Sequence, residues 1–293
     1  MINEIENRNL YFNLDECLEY CKLIKDVYYD DFTYYHIYWN VGLEFGRKQL
    51  LSIKSYLSTQ NLENTKLILW SNIDLTNNEL LKPYLQYIEF RIYDPIEEAK
   101  GTILEGRLDI LRANDDNNWA GGDLFRVLIL NNYGGVYVDV DVVFLRDFAP
   151  LLKYEFMYKW GLEEHMINGA IMRMFKKSKL CVNLLSEIAN GSISVNTVYW
   201  SSILYEKVRR YNKDWIIFPS GFFNSEWQDM RYNTPGNGQV FLPFKKDSFS
   251  LYDGAFSWHW HNKWDSDIED GSKWKTLEDN IGIILKDKIK IKI

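Results

Sequence analysis

The stretch Gly134-Gly135-Val136-Tyr137-Val138-Asp139-Val140-Asp141-Val142-Val143-Phe144-Leu145 is the most strand-like run in the chain, dense in β-branched residues behind a Gly-Gly turn signal. Alternation along an extended segment puts Val136, Val138, Val140 and Val142 on one face, and Tyr137, Asp139 and Asp141 on the other. With both aspartates extended, their Cα atoms lie roughly 6.6 Å apart, twice the rise per residue. Two carboxylates so close in so apolar a run repel one another and are costly to desolvate. A divalent cation relieves both costs, and an all-oxygen donor set suits Mg²⁺ or Mn²⁺. The run therefore predicts a metal held by Asp139 and Asp141 at the end of a central strand. Asp-x-Asp alone is a weak pattern, of which a chain this long carries about one by chance. Asp265-Ser266-Asp267, in a polar run, predicts nothing. The first pair differs in its setting, because a helix-like segment and a tight turn lead straight into it.

That helix-like segment is Asp123-Leu124-Phe125-Arg126-Val127-Leu128-Ile129-Leu130-Asn131-Asn132, which Gly134 can terminate. Asp123 and Arg126 are three apart and share a face. In isolation they would be an N-terminal acid favoured by the helix dipole and its surface partner. Feeding through a turn into the two-aspartate strand, they become candidates for the same cavity.

Further upstream, strands are predicted at Tyr34–Trp39, Lys66–Trp70 and Tyr87–Tyr93. Helices are predicted after the capping box Asn13/Glu16 and over Phe45–Leu57. Two more are expected from the capping box Thr76–Glu79, cut short by Pro83, and from Asp94-Pro95 through Leu111. Such alternation marks an open α/β sheet with its ligand at the carboxyl ends of the strands. Downstream come strands at Tyr154–Trp160, Ile167–Arg173 and Trp215–Pro219 and a helix at Leu180–Ala189. The alternating Lys286–Ile293 run reads as an edge strand or a frayed tail. In Ser257-Trp258-His259-Trp260-His261-Asn262-Lys263-Trp264, His259 and His261 face one way if extended and are candidate metal ligands. A histidine among tryptophans is, however, more often a structural residue.

The 293 residues suffice for a substantial core, and 46% hydrophobic with 26% charged residues is ordinary for a globular protein. A net charge of −7 argues against a nucleic-acid backbone partner. Aromatic content of 16% leaves room for a surface that stacks flat rings. Cys17, Cys21 and Cys181 form neither a disulfide framework nor a metal spacing, and the first two, one helical turn apart, are expected to pack together. With no apolar run of membrane-spanning length and no signal-peptide pattern, the expectation is a cytoplasmic protein, peripheral attachment to a membrane being left open.

The residues from Ala120-Gly121-Gly122-Asp123 to Arg126, followed by Asn132-Tyr133-Gly134-Gly135-Val136-Tyr137-Val138-Asp139-Val140-Asp141, resemble the core of the DXD-containing glycosyltransferases. These include glycosyltransferase family 32, capsular-polysaccharide sugar transferases and the catalytic domain of large clostridial glucosylating toxins. The family pattern is a small residue, Asp, two residues, Arg, an apolar helix, then Gly-Gly-x-Tyr-x-Asp-x-Asp; Gly122 stands here where Ser is usual. His36-Ile37-Tyr38-Trp39 resembles the family's first strand. The likeness is good from about Tyr35 to Phe148 and thin beyond Pro150.

The resemblance implies a single GT-A domain over 1–293, a Rossmann-like mixed sheet flanked by helices. Residues 30–150 would bind the nucleotide sugar, and 151–293 would form the acceptor-binding and closing half. It implies a nucleotide-sugar donor, more readily UDP- than GDP-linked, with Mn²⁺ or Mg²⁺, a glycan or other hydroxyl acceptor, and retention of anomeric configuration. By the same resemblance Trp39 stacks on the base, and Asp123 and Arg126 contact the donor sugar and phosphates. Tyr137 and Asp139 line the donor pocket, and Asp141 ligates the metal directly. The segment with His259, His261 and Trp264 closes over the diphosphate, though its spacing departs from the usual form, and Asn168 is a candidate sugar contact.

Two other readings use the same residues. Phosphatases of the haloacid dehalogenase type place Asp-x-Asp after a hydrophobic strand with the first Asp, here Asp139, as phosphoryl acceptor. Their motif lies near the domain start and needs a later acidic pair, and neither condition is met in this sequence. A non-catalytic sugar-nucleotide-binding module could share the scaffold, but it would not need Asp123, Arg126, Asp139 and Asp141 together.

Overall fold

The structure, a computed structural model, describes residues 5, 10–40, 44–112, 118–161, 166–191, 193–195, 200–228, 244–246 and 252–289. Its strands are β1 (Thr33–Trp39), β2 (Thr65–Ser71), β3 (Glu89–Ile92), β4 (Gly135–Val138), β5 (Val142–Phe144), β6 (Phe156–Lys159), β7 (Ile167–Met174), β8 (Ile216–Phe218) and β9 (Ser257–His259). Its helices are α1 (Leu14–Leu23), α2 (Arg47–Thr59), α3 (Pro95–Ala99), α4 (Leu108–Leu111), α5 (Asn118–Tyr133), α6 (Lys179–Ala189), α7 (Trp200–Arg209), α8 (Ser225–Gln228) and α9 (Lys273–Ile289).

Seven strands form one sheet in the order β3-β2-β1-β4-β7-β6-β8. β1, β2, β3 and β4 pair in parallel, β7 is antiparallel to both β4 and β6, and β8 is parallel to β6. This is the expected α/β class, a mixed sheet flanked by helices, with β7 alone reversed. Strand alternation divides the core into two layers. Tyr35, Ile37, Leu67, Val136 and Val138 pack with Cys17 of α1, Leu57 of α2 and Leu285 of α9. On the opposite face Ile68, Trp70, Tyr137 and Met172 pack with Leu124 and Leu128 of α5, Leu184 of α6 and Leu204 of α7. Cys17 and Cys21 are buried free thiols, as expected of a packed pair.

The Gly-Gly turn brings β4 to the middle of the sheet. Gly134 ends α5 at φ 67°, its N–H donating to the Leu130 carbonyl at 2.9 Å. Gly135 has φ 104°, and a Cβ there would stand 2.2 Å from the Tyr34 carbonyl oxygen, so glycine is what lets β4 lie beside β1.

The run from Gly134 to Leu145 is not one strand. β4 stops at Val138 and the chain turns through Asp139–Asp141, with Val142 N–H donating to the Asp139 carbonyl at 3.1 Å. β5 then pairs antiparallel with β9 in a separate two-stranded sheet. Val140 and Val142 still enter the same core as Val136 and Val138, so the apolar pattern survives the bend.

α5 begins at Asn118, so Asp123 sits inside the helix and is not its N-terminal acid. The helix from Pro95 ends at Ala99, and turns separate it from α4. At Thr76–Glu79 there is no capped helix. Asp74 accepts from Thr76 N–H (2.8 Å) and Asn78 from Leu81 N–H (3.1 Å), closing turns ahead of a 3₁₀ segment at Lys82–Tyr84. The Lys286–Ile293 run is helical through Ile289, because Ile281 and Leu285 recur at helical spacing on the buried face of α9; residues 290–293 lie outside the described residues.

Candidate active site

Asp139 follows the last residue of the central strand β4, where the carboxyl ends of the parallel strands meet. Its backbone N–H still donates to the Ala170 carbonyl of β7 (2.7 Å), which fixes its place. The turn after it redirects Asp141, so the two carboxylates approach one point from either side of a bend rather than from one strand face. Asp139, Asp141 and His259 each offer a ligand atom, and these atoms lie within 4.8 Å of one another. It is the one such group among the described residues.

Antiparallel pairing of Val142 with His259 carries the histidine to the aspartates. His259 Nε2 is 3.1 Å from Asp141 Oδ2, yet it is buried without a well-formed hydrogen bond. Two neighbouring ligands of one octahedral ion with bonds near 2.1 Å stand roughly 3 Å apart, so this spacing fits an ion shared by the pair. His259 Nδ1 meets the Tyr158 hydroxyl at 3.3 Å, a contact of the kind that would orient the ring if Nε2 held a metal. With the imidazole added to the two carboxylates, the donor set is not the all-oxygen one expected, and it suits a divalent transition metal.

Electrostatics agree. Burial works against the Asp141 carboxylate, but His259 and the Asn262 N–H (2.7 Å to Oδ2) outweigh it and hold its pKa below the usual range. Burial likewise opposes charge on His259, and Asp141 reverses the balance and raises it. His261 does not join the group. It and Asn262 both lie at φ 53°, so the expected extended run ends at His259. The His261 ring stacks on His259 at 3.9 Å between centroids, and its Nε2 stands 3.2 Å from Asn224 Oδ1. Burial and the neighbouring His259 push its pKa well down.

On the other side of Asp139 lies the arginine. Arg126 Nη2 is 3.0 Å from Asp123 Oδ1 and 3.3 Å from Asp139 Oδ1, so one guanidinium joins helix to strand end. Burial opposes its charge, but the two carboxylates prevail and raise its pKa well above the ordinary value. The guanidinium lies over the Tyr137 ring (4.8 Å), whose hydroxyl donates to Asp139 Oδ1 at 2.5 Å. Tyr137 is thus a buried support beneath Arg126 and Asp139. Burial raises the pKa of Asp123, against the opposing charge of Arg126. Asp139, the nucleophile of a phosphatase reading, is occupied by Tyr137 and Arg126.

Trp39 ends β1 and meets Trp264 edge to face at 5.1 Å, which brings the two halves of the sequence together at the site rim. Asn168 lies opposite Tyr158 in the β6–β7 pairing; its Oδ1 accepts from Ala170 N–H (2.8 Å) and its Nδ2 is buried without a partner. Sequence reasoning missed Tyr158, Asn224, Asn262 and Gly169. Gly169 matters because a Cβ there would stand 2.2 Å from Arg126 Nη1. Only Asn262 carried a signal, through its place in the His/Trp run.

Residues 17–157 match the family model described as "Glycosyltransferase sugar-binding region containing DXD motif". Among solved structures the chain is similar to one named PaToxG Glycosyltransferase, at 13% identity over 67% of this chain and 74% of that one, with a TM-score of 0.47. It is also similar to a structure titled as a transferase mutant, at 12% identity over 62% and 85% of the two chains, with a TM-score of 0.39. No curated protein matches it. Over residues 17–157 the chain therefore matches the sugar-binding region of the DXD-motif glycosyltransferases, a span that includes Asp123, Arg126, Asp139 and Asp141.

Proposed function

We propose that this protein is a divalent-metal-dependent glycosyltransferase, moving a hexosyl or pentosyl unit from a UDP-sugar to a hydroxyl of a glycan or glycoconjugate with retention of configuration. The observation that carries the reading is the convergence of Asp139, Asp141 and His259 beside the Asp123–Arg126 pair. Asp141 and His259 would hold Mn²⁺ or Mg²⁺, with Asp139 completing the group. The ion, when bound, supplies a Lewis acid for the diphosphate that departs as the glycosidic bond breaks.

The chain's own residues do the rest. Arg126 keeps a fixed positive charge beside the leaving group, where charge develops in the transition state. Asp123 and Asp139 hold that guanidinium in place. Trp39 is assigned to the base, Trp264 to the cover over the diphosphate, and Asn168 to the sugar through its unpartnered Nδ2. Asp139 is already engaged by Tyr137 and Arg126, which disfavours it as a glycosyl nucleophile. Retention is therefore assigned to displacement on one face, in which a departing phosphate oxygen takes the proton of the acceptor hydroxyl. Residues 30–150 bind the donor in this reading, and 151–293 supply the acceptor side and the closing segment. No described helix is long and apolar enough to cross a membrane.

The test is a thermal-shift and calorimetric titration against a panel of nucleotide sugars, with and without Mn²⁺. One UDP-sugar should raise Tm only when metal is present, and Asp141→Asn should lose most of that shift. Equal metal-dependent binding by Asp141→Asn would overturn the ligand assignment. Tight donor binding by the wild type without hydrolysis or transfer to any acceptor would instead indicate a binding module.

A further inference from the structure

The segment that brings Asn262 and Trp264 to the site is also held from outside the acidic group, by a lysine. Lys48, on α2, directs its ammonium at three backbone carbonyls, those of Lys263 (2.8 Å), Trp264 (2.6 Å) and Ser266 (2.6 Å). A lysine has three N–H donors and no acceptor, so these contacts use its full capacity. Phe244 lies beneath the ammonium at 4.1 Å from its ring centroid. Burial pulls the pKa of Lys48 down, while Asp265 and Asp267 act against that. The second Asp-x-Asp thus lies within and just after the captured segment.

Beyond the clamp the same stretch reaches the acidic centre through a continuous set of contacts. Trp264 Nε1 donates to Asn262 Oδ1 (3.0 Å), Asn262 N–H donates to Asp141 Oδ2 (2.7 Å), and Trp260 N–H donates to the Asp141 carbonyl (3.1 Å). The Trp264 ring also packs edge to face on Trp260 (4.4 Å) and Trp39 (5.1 Å). A backbone that turns through two successive residues at φ 53° has little regular pairing of its own. Its position is set by side chains, and Lys48 reaches across from the first half of the chain to hold three of its carbonyls at once.

We propose that Lys48 is a positioning residue for the donor: by capturing the carbonyls of residues 263–266 it fixes Trp264 and Asn262 in the place where a nucleotide sugar is covered. This rests on the glycosyltransferase reading above. Lys48 contacts the backbone of the covering segment and not the acidic group, so it acts on the binding of the donor and not on the chemical step.

The experiment compares wild type with Lys48→Met, which keeps an apolar stem over Phe244 and removes all three donors, and with Lys48→Arg, which restores a charged donor. Amide hydrogen exchange read by mass spectrometry should quicken at least tenfold across 260–268 in Lys48→Met, with β1 and β4 unchanged. The donor KM should rise about tenfold with kcat within about twofold of wild type. Lys48→Arg should recover most of both. Unchanged exchange over 260–268, faster exchange with an unaltered donor KM, or a loss confined to kcat would each overturn the positioning role while leaving the transferase reading intact. A wild type that neither binds nor turns over any nucleotide sugar with Mn²⁺ present would overturn the transferase reading and this proposal with it.

Discussion

At the residue scale, the site depends on where one guanidinium can lie. Arg126 reaches both Asp123 and Asp139 because Gly169, on the neighbouring strand, leaves space beside it. A methyl group at residue 169 would meet Arg126 Nη1 at 2.2 Å and Tyr205 at 3.1 Å, and the arginine, pinned by two carboxylates, cannot simply swing aside. Gly169→Ala should therefore be destabilised by about 1–3 kcal/mol, as overpacking costs, and, as folded protein, should lose transfer activity by about 10²-fold, the scale expected when a preorganised charge is misplaced. Calorimetry and a transfer assay on the same preparation check this. Activity near wild type would mean that the guanidinium position is not critical. The pairing of Asp123 with Arg126 was legible from their i, i+3 spacing, and Asp139 from its strand. Gly169 was not legible, because nothing local distinguishes a glycine that makes room for a distant side chain.

At the scale of elements, β1, β2 and α5 are locked together by a buried histidine. His36 Nδ1 accepts from Trp70 Nε1–H (3.1 Å), leaving Nε2–H to donate to the Gly134 carbonyl (2.9 Å). The neutral ring satisfies both contacts, and burial lowers its pKa to about 4. In the unfolded chain the imidazole titrates near its ordinary 6.5. Between these values the unfolded state binds a proton that the folded state refuses. The stability contributed is therefore full above about pH 6.5 and declines as pH falls toward about 4, by about 3 kcal/mol in all. Urea unfolding at pH 7.5, 6 and 5 should show the wild type losing midpoint across this window, and His36→Gln should show a flatter profile whatever its stability at pH 7.5. Parallel profiles would refute the assignment. The aromatic run around His36 announced a strand, whereas its two partners come from 34 and 98 residues away.

At the scale of the whole molecule, the C-terminal part of the chain is joined to itself by a buried ion pair. Lys273, at the start of α9, places Nζ 2.7 Å from Glu226 Oε1 of α8, and Trp258 Nε1 of β9 donates to the same oxygen at 2.7 Å. The ammonium lies over the Tyr252 and Trp258 rings, and burial lowers its pKa to about 8 despite Glu226. Removing one partner of such a pair leaves an uncompensated charge, which costs about 3–5 kcal/mol. Lys273→Met should be destabilised by that amount in urea unfolding, and Lys273→Met with Glu226→Gln should regain part of it. Independent, additive losses in the two single variants and their combination would show that the residues do not act as a pair.

The amino-acid sequence alone determined the α/β alternation, the two-faced valine run and the identities of Asp123, Arg126, Asp139 and Asp141, because local periodicity and short spacings are read along the chain. It erred where an element's end was set from outside, as at the β4–β5 break. There Asp139 stays on β7 while β5 pairs with a strand more than a hundred residues later. Only the tertiary structure decided that His259 and not His261 joins the acidic group, and that Tyr158 supports it. Those choices depend on register between distant strands and on a backbone turned through positive φ after Trp260, and neither leaves a periodic mark in the sequence.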